Sequence, residues 1–315
     1  GFRAFALKFL PTSRDDAAGV ARDFVMDHVR HLREHGYAVV RGFLPDEDVA
    51  ALVAALDRMK VEALKHHTTY RDHNLLFEVH TDPLLGERVC LQAHWTCWID
   101  ETMERMRRHP NYLKVLEPLL GRDIKHYASQ IHWKPPGAKY TYYRYHQDIK
   151  FRENPEIFGD LMDGWLTTGL ALNRQGGDNG ALCVYPGSHR MGYLGLGEGA
   201  TVMTGGSNEE ELEAAGLDRD GMVQLELEPG DLVLWTLYTL HGSPANGSDR
   251  DRLFLLNSYG RAADSPDRGE WAFRDGVSTP LGATPEICKY EQLREKPGPF
   301  YIDDTWSEEA VAASS

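Results

Sequence analysis

The sequence has too little positive charge for a protein that binds nucleic acid. It contains 34 Lys and Arg residues against 48 Asp and Glu residues, which gives a formal net charge of -14. Binding to a phosphate backbone requires a concentration of Lys and Arg. Nucleic acid is therefore not an expected partner, although the net charge leaves the local charge of a binding site open.

Cysteines and long apolar runs are also scarce. There are 4 Cys residues among 315, and none forms a Cys-x-x-Cys pair. This excludes a disulfide-rich secreted scaffold and favours a reducing, cytoplasmic location. The N-terminal apolar stretch at residues 5–10 contains Lys8 and stops at Pro11. It is too short for a signal peptide or a membrane span, so we expect no association with membranes.

The remaining composition, with 42% apolar and 26% charged residues, is that of a globular protein. A single fold of this length buries roughly 75% of its unfolded-chain surface and needs no disulfide or structural metal. We expect one domain over residues 1–315. It would comprise a helical support region at about 17–121, a β-rich core at about 122–261 and a C-terminal extension at 262–315 with a frayed tail.

Apolar spacing predicts the elements of this domain. Helices are predicted over 17–34, 45–59 and 99–120, with a short strand at 37–44 between the first two. After Gly121 the sequence changes to short apolar runs separated by Pro and Gly turns. These runs are 166–172, 181–185, 222–227, 232–235 and 252–259. Together they predict a mainly β fold, a sandwich or jelly roll, behind a helical N-terminal layer.

One short motif suggests a metal site. His146 and Asp148 lie two residues apart in an extended, aromatic-rich segment, where such residues share a face. Two His and one carboxylate leave coordination positions of Fe(II) open, so a second, distant His would complete the site. The motif alone is weak evidence, because a second copy occurs at His80 and Asp82. We interpret that copy as an ordinary Asp-Pro turn in the helical half.

The downstream sequence makes the first copy more specific. Residues 228–231 read Glu-Pro-Gly-Asp and enter an apolar strand, and residues 240–243 read Leu-His-Gly-Ser. Residues 179–182 read Asn-Gly-Ala-Leu and residues 186–189 read Pro-Gly-Ser-His. In this order the motifs resemble the phytanoyl-CoA dioxygenase family of Fe(II)- and 2-oxoglutarate-dependent oxygenases. The similarity extends over about residues 34–261.

The resemblance implies a double-stranded β-helix and assigns roles to five residues. His146, Asp148 and His241 would bind the iron, while Arg252 and Ser243 would bind the far carboxylate of the cosubstrate 2-oxoglutarate. A guanidinium binds a carboxylate in a bidentate manner, which suits this role. Arg250 is a rival for Arg252 that the spacing disfavours.

The resemblance also points to further features of the site. Phytanoyl-CoA hydroxylase carries a Trp near the cosubstrate at the position of Gly169, so this pocket must differ in shape. The segment 130–135 resembles the ectoine hydroxylase branch, which places His132 near 2-oxoglutarate. His189, in its Pro-Gly-Ser-His turn, is interpreted as structural.

The expected reaction uses O2 and 2-oxoglutarate to hydroxylate an unactivated C–H bond of a small metabolite, with release of succinate and CO2. A carboxylate at Asp148 argues against halogenation, because halogenases of the family vacate that position for chloride. The alternative is a cupin-like metal-binding protein or isomerase without dioxygen chemistry, which would have no use for Arg252 and Ser243.

The substrate hypothesis starts from strand parity. Tyr142, Arg144, Lys150 and Arg152 share parity with His146, so in a regular strand all would face the metal. Basic groups there favour a small anionic substrate, with a carboxylate, phosphate or phosphonate group. The strand could equally end near Asp148 and leave Lys150 and Arg152 in solvent. The oligomeric state is not predicted.

Overall fold

The computed structural model of the protein describes residues 27–82, 86–138, 140–152, 158–197, 203–204, 207–285 and 295–302. The N-terminal apolar stretch, the first half of the first predicted helix and the C-terminal tail lie outside these residues. None of the described helices is long and apolar enough to cross a bilayer.

Five α-helices are described, and four of them lie in the first half of the chain. The described part of α1 covers residues 27–35, and the others are α2 (Asp46–Ala63), α3 (Glu101–Arg107), α4 (Pro110–Leu120) and α5 (Glu209–Ala214). The predicted helical region over 99–120 consists of two helices, because helical structure is interrupted between Arg107 and Pro110. Pro110 lacks a backbone N–H and takes the first position of α4, where no such donor is needed.

Sixteen strands are described, and they form two antiparallel sheets. They are β1 (Tyr37–Val40), β2 (Thr69–Asp72), β3 (Leu75–Thr81), β4 (Arg88–His94), β5 (Ile124–Lys134), β6 (Tyr142–His146), β7 (Trp165–Ala171), β8 (Cys183–Val184), β9 (Met203–Thr204), β10 (Val223–Gln224), β11 (Leu232–Thr236), β12 (His241–Ser243), β13 (Arg252–Arg261), β14 (Glu270–Arg274), β15 (Val277–Ser278) and β16 (Phe300–Ile302). The predicted mainly β, jelly-roll class is confirmed.

The larger sheet has the order β1-β11-β7-β13-β5-β4-β3-β2-β16, with β14 and β15 attached beside β5. The smaller sheet has the order β10-β8-β12-β6-β9. Strands β2 to β4 fall inside the segment that was assigned to the helical support region. They extend the larger sheet beyond β5, and β16 pairs with β2 at its edge.

The main core lies between α2 and the larger sheet. The predicted inner face of α2 is confirmed, since Val49, Leu52, Leu56 and Met59 are buried and Val53 packs at the margin. These side chains share one apolar cluster with buried residues of β7, β11 and β13. Burial of these apolar side chains stabilises the sheet. The three described cysteines, Cys90, Cys97 and Cys183, are free thiols and form no disulfide with one another.

Candidate functional site

The predicted metal ligands come together at the smaller sheet. His146 ends β6 and His241 begins β12, and the two residues are direct cross-strand partners. Nε2 of His146 lies 3.6 Å and Nε2 of His241 lies 3.7 Å from Oδ1 of Asp148. One ligand atom from each residue lies within 4.8 Å of the other two. Two imidazoles and one carboxylate at this spacing suit a divalent transition metal with open coordination positions.

Hydrogen bonds orient both imidazole rings. Nδ1 of His146 is 2.7 Å from the Arg144 carbonyl, and Nδ1 of His241 is 2.9 Å from the Thr239 carbonyl. A carbonyl only accepts, so each Nδ1 carries the proton and each Nε2 keeps a lone pair for the metal. Burial, together with His146, lowers the pKa of His241 to about 4, which keeps that ring neutral.

Asp148 is held through its other oxygen. Thr167 Oγ1 donates to Oδ2 at 2.9 Å, and the Trp235 indole N–H donates to the same atom at 3.1 Å. Burial alone would raise the pKa of Asp148, but His241, His146 and Arg152 outweigh burial and lower that pKa. The carboxylate is therefore ionised and presents Oδ1 toward the two imidazoles. Thr167 and Trp235 were not identified from the sequence.

A cationic pocket adjoins the three ligands. Arg252 is 2% exposed, and its Nη2 lies 3.5 Å from Ser243 Oγ. Burial lowers the pKa of Arg252 to about 10, which still leaves it charged at neutral pH. The rival Arg250 points away, because its side chain is 74% exposed beside Asp249.

The space above Gly169 is filled by Phe254. A Cβ built on Gly169 would lie 2.1 Å from Cζ of that ring, closer than atoms can approach. Gly169 and the ring lie on neighbouring strands, β7 and β13. The position of Gly169 is thus covered by a Phe side chain from the adjacent strand.

A cavity of about 440 Å³ connects these groups to the larger sheet. Along each strand of this sheet, alternate residues line the cavity, because side chains two residues apart share one face of a sheet. The lining includes Phe254, Leu256 and Ser258 of β13, Ala128, Gln130 and His132 of β5, Gln92 and His94 of β4, Leu76, Glu78 and His80 of β3, and Thr69 and Arg71 of β2. His132 stacks on Tyr143, with ring centroids 5.0 Å apart. Among the residues of β2 to β5 that line the cavity, only His132 is predicted from the sequence to belong to the site.

The second His-x-Asp copy lies at a turn, as the sequence predicts, because the backbone of Asp82 forms hydrogen bonds with Gly86 and Glu87. His80 lies on β3 rather than in a helical region, and it lines the cavity. Asp82 follows the strand and accepts a hydrogen bond of 2.5 Å from the Tyr140 hydroxyl. Across the described ranges, His146, Asp148 and His241 are the only His, Cys, Asp or Glu residues that form a group of three able to hold a metal ion. His189 lies near Gly36 and is bonded to the Arg33 carbonyl, as its structural interpretation expects.

The parity argument for the substrate residues is wrong. The pairing of β6 with β12 contains a bulge, so Tyr143 and His146, three residues apart, both line the cavity. Tyr142 instead bonds to Ser207, and Arg144 forms an ion pair with Glu211.

The segment after the strand also departs from regular alternation. A 3-10 turn covers Asp148–Phe151, and Lys150 within it donates to the Gly197 carbonyl. Lys150 is not among the residues that line the cavity, whereas Arg152 is, with its guanidinium 4.2 Å from the centroid of the Trp165 ring. The structure therefore brings only the last of the four parity residues to the site.

The fold and the site define a non-haem iron oxygenase of the jelly-roll class that uses 2-oxoglutarate. Residues 32–254 match the family model described as phytanoyl-CoA dioxygenase, so the chain belongs to that family. Fe(II) and 2-oxoglutarate are accordingly its cofactor and cosubstrate.

Three known proteins illustrate the similarity. The probable alpha-ketoglutarate-dependent hypophosphite dioxygenase of Stutzerimonas stutzeri is 25% identical over 241 residues, covering 74% of this chain and 77% of that protein. Ectoine dioxygenase of Bordetella bronchiseptica is 23% identical over 258 residues, covering 77% and 78%. The crystal structure of EctD from S. alaskensis with 2-oxoglutarate and 5-hydroxyectoine has a TM-score of 0.56 at 22% identity, covering 91% of this chain and 87% of that chain.

Proposed function

We propose that His146, Asp148 and His241 bind Fe(II), and that Arg252 and Ser243 bind the distal carboxylate of 2-oxoglutarate. The reaction would hydroxylate a C–H bond of a small metabolite and release succinate and CO2. The observation that supports this most is the position of Arg252 and Ser243 in the same cavity as the three ligands. A metal-binding protein or isomerase without dioxygen chemistry would not need a carboxylate site there.

The chain contributes orientation and exclusion of water. Bound iron with 2-oxoglutarate and O2 supplies an oxidant that can remove a hydrogen atom from an unactivated carbon. The Thr239 carbonyl and the indole of Trp235 keep His241 and Asp148 in ligating orientations. Apolar side chains of Leu182, Phe254 and Leu256 line the cavity and reduce its access to water.

The charges of the cavity favour a small substrate that carries an anionic group. The charges of Fe(II), Asp148, 2-oxoglutarate and Arg252 cancel. The other ionisable side chains in the lining include Arg71, Arg152 and Glu78, which together leave one positive charge. The anionic group of an acidic or zwitterionic metabolite would complement this net positive charge. The hypophosphite named for one relative is likewise a small anion.

The test is succinate release coupled to substrate oxidation, measured across small acidic, zwitterionic and neutral metabolites. We expect coupled turnover with acidic or zwitterionic compounds. In Arg152→Gln the KM for such a compound should rise. In the matched control Arg144→Gln the KM should equal that of the wild type, because Arg144 pairs with Glu211 and does not line the cavity.

Two results would contradict parts of the proposal. Coupled turnover confined to neutral apolar compounds would overturn the anionic substrate and leave the oxygenase assignment intact. Metal binding without any conversion of 2-oxoglutarate to succinate, with every compound of the panel, would favour the isomerase or binding-protein alternative.

A further inference from the structure

Lys134 is a buried cation beside the cosubstrate pocket. It ends β5, is 0% exposed, and is the direct cross-strand partner of Arg252. Like charges placed directly opposite each other in a sheet are destabilising. Burial is the largest influence that lowers the pKa of Lys134, and Arg252 adds to it. Among the described residues, no carboxylate contributes to the pKa shift of either cation. Such a pair is suited to an anion that binds next to it.

The hydrogen bonds of Lys134 converge on one short segment. Its Nζ donates to Ser243 Oγ at 2.6 Å, to the Ser243 carbonyl at 3.3 Å and to the Pro244 carbonyl at 2.5 Å. Gly180 leaves room for the side chain, because a Cβ there would lie 3.0 Å from Cδ of Lys134. Lys134 does not line the cavity itself, whereas Ser243 does.

These contacts determine what the Ser243 hydroxyl can do. The three acceptors around Nζ of Lys134 match the three N–H groups of its protonated form. A hydroxyl has one proton to donate and two lone pairs to accept with, whereas a protonated Lys and an Arg only donate. Ser243 Oγ accepts from Lys134 and faces Arg252 at 3.5 Å, so it can give its proton to neither. The proton must go to a third group, and the cavity is where an acceptor can bind.

We propose that Lys134 is a positioning residue, which holds the Ser243 hydroxyl as a donor aimed at the distal carboxylate of 2-oxoglutarate. The inference rests on the proposed function, because it takes that carboxylate as the occupant of the pocket. It adds to that function the means by which this chain tells a dicarboxylic 2-oxo acid from a monocarboxylic one. Lys134 contributes through Ser243 and does not touch the cosubstrate.

The test is binding selectivity, measured by calorimetry on the anaerobic Fe(II)-loaded protein. The ligands are 2-oxoglutarate and 2-oxopentanoate. The second compound has the same 2-oxo carboxylate group but lacks the distal carboxylate. The wild type should prefer 2-oxoglutarate. Lys134→Met should reduce that preference by about 10-fold, the effect of one charge-assisted hydrogen bond. Lys125→Met is the matched control, since Lys125 is also buried on β5 but donates to carbonyls at residues 265, 266 and 268.

A double-mutant cycle separates positioning from charge alone. In a Ser243→Ala background, Lys134→Met should change the preference by less than about 3-fold, because the hydroxyl that it positions is gone. An equal loss in both backgrounds, or an unchanged preference in Lys134→Met, overturns the proposal. Should no Lys134 variant fold, an unchanged preference in Ser243→Ala overturns it as well. A wild type without any preference would instead refute the cosubstrate site of the proposed function.

Discussion

The indole N–H of Trp235 donates to Asp148 at 3.1 Å, and this bond joins the larger sheet to the candidate metal ligands of the smaller one. The bond is made to Oδ2, whereas Oδ1 is the oxygen near the two imidazoles. Oδ2 of Asp148 is therefore held by the protein, and Oδ1 is the oxygen that would bind the proposed metal. Trp235 and Thr167 together hold the carboxylate in this orientation.

Replacement of Trp235 tests whether its hydrogen bond orients Asp148. Trp235→Phe keeps the ring but removes the donor, so Asp148 is less firmly oriented and Fe(II) affinity should fall by about 10-fold. Trp165→Phe is the matched control, because the Trp165 N–H has no hydrogen-bond partner among the described residues. Metal titration under anaerobic conditions measures both. Equal affinities in Trp235→Phe and the wild type would show that Thr167 alone orients the carboxylate.

The two His-x-Asp copies give a second comparison. His241→Ala removes a proposed ligand and should abolish stoichiometric Fe(II) binding and succinate formation, since three protein ligands are proposed. His80→Gln, in the other copy, should bind iron as the wild type does, because His80 belongs to no ligand cluster in the described structure. Elemental analysis after desalting measures the bound iron. Full iron occupancy in His241→Ala would disprove the assigned triad.

Replacement of Arg252 and replacement of Arg250 should affect the KM for 2-oxoglutarate differently. Arg252→Ala leaves the distal carboxylate of 2-oxoglutarate without its cationic partner, so the KM for 2-oxoglutarate should rise by at least about 10-fold. Arg250→Ala should leave that KM unchanged, because its side chain is 74% exposed. Steady-state rates of succinate formation measure both variants. A rise in Arg250→Ala alone would transfer the role to Arg250.

Gly169 and Phe254 provide a prediction about stability. In Gly169→Ala the new methyl group would meet the ring of Phe254, so the free energy of unfolding should drop by about 1–3 kcal/mol. Phe254→Leu combined with Gly169→Ala should recover part of that loss, because the smaller side chain leaves space. Denaturant unfolding of both variants measures the change. Additive losses in the double variant would indicate that the two side chains do not compete for space.

The mainly β class, the inner face of α2 and the residues that converge at the candidate metal site could all be predicted from the sequence. Alternation, turn residues and motif spacing are local properties, so Leu52 and His146 could be interpreted without a structure. The resemblance added the distant His241 and Arg252. It could do so because their offsets along the chain are characteristic of the family.

Which side chains share the cavity could not be predicted from the sequence, because it depends on the packing of the whole fold. A bulge opposite β12 placed Tyr143 beside His146 and turned Arg144 toward Glu211, and a bulge cannot be located from alternation alone. The contacts of Trp235 with Asp148 and of Lys134 with Ser243 span 87 and 109 residues of chain. Such pairs depend on how the two sheets pack, and that packing is decided by the whole core rather than by any local pattern.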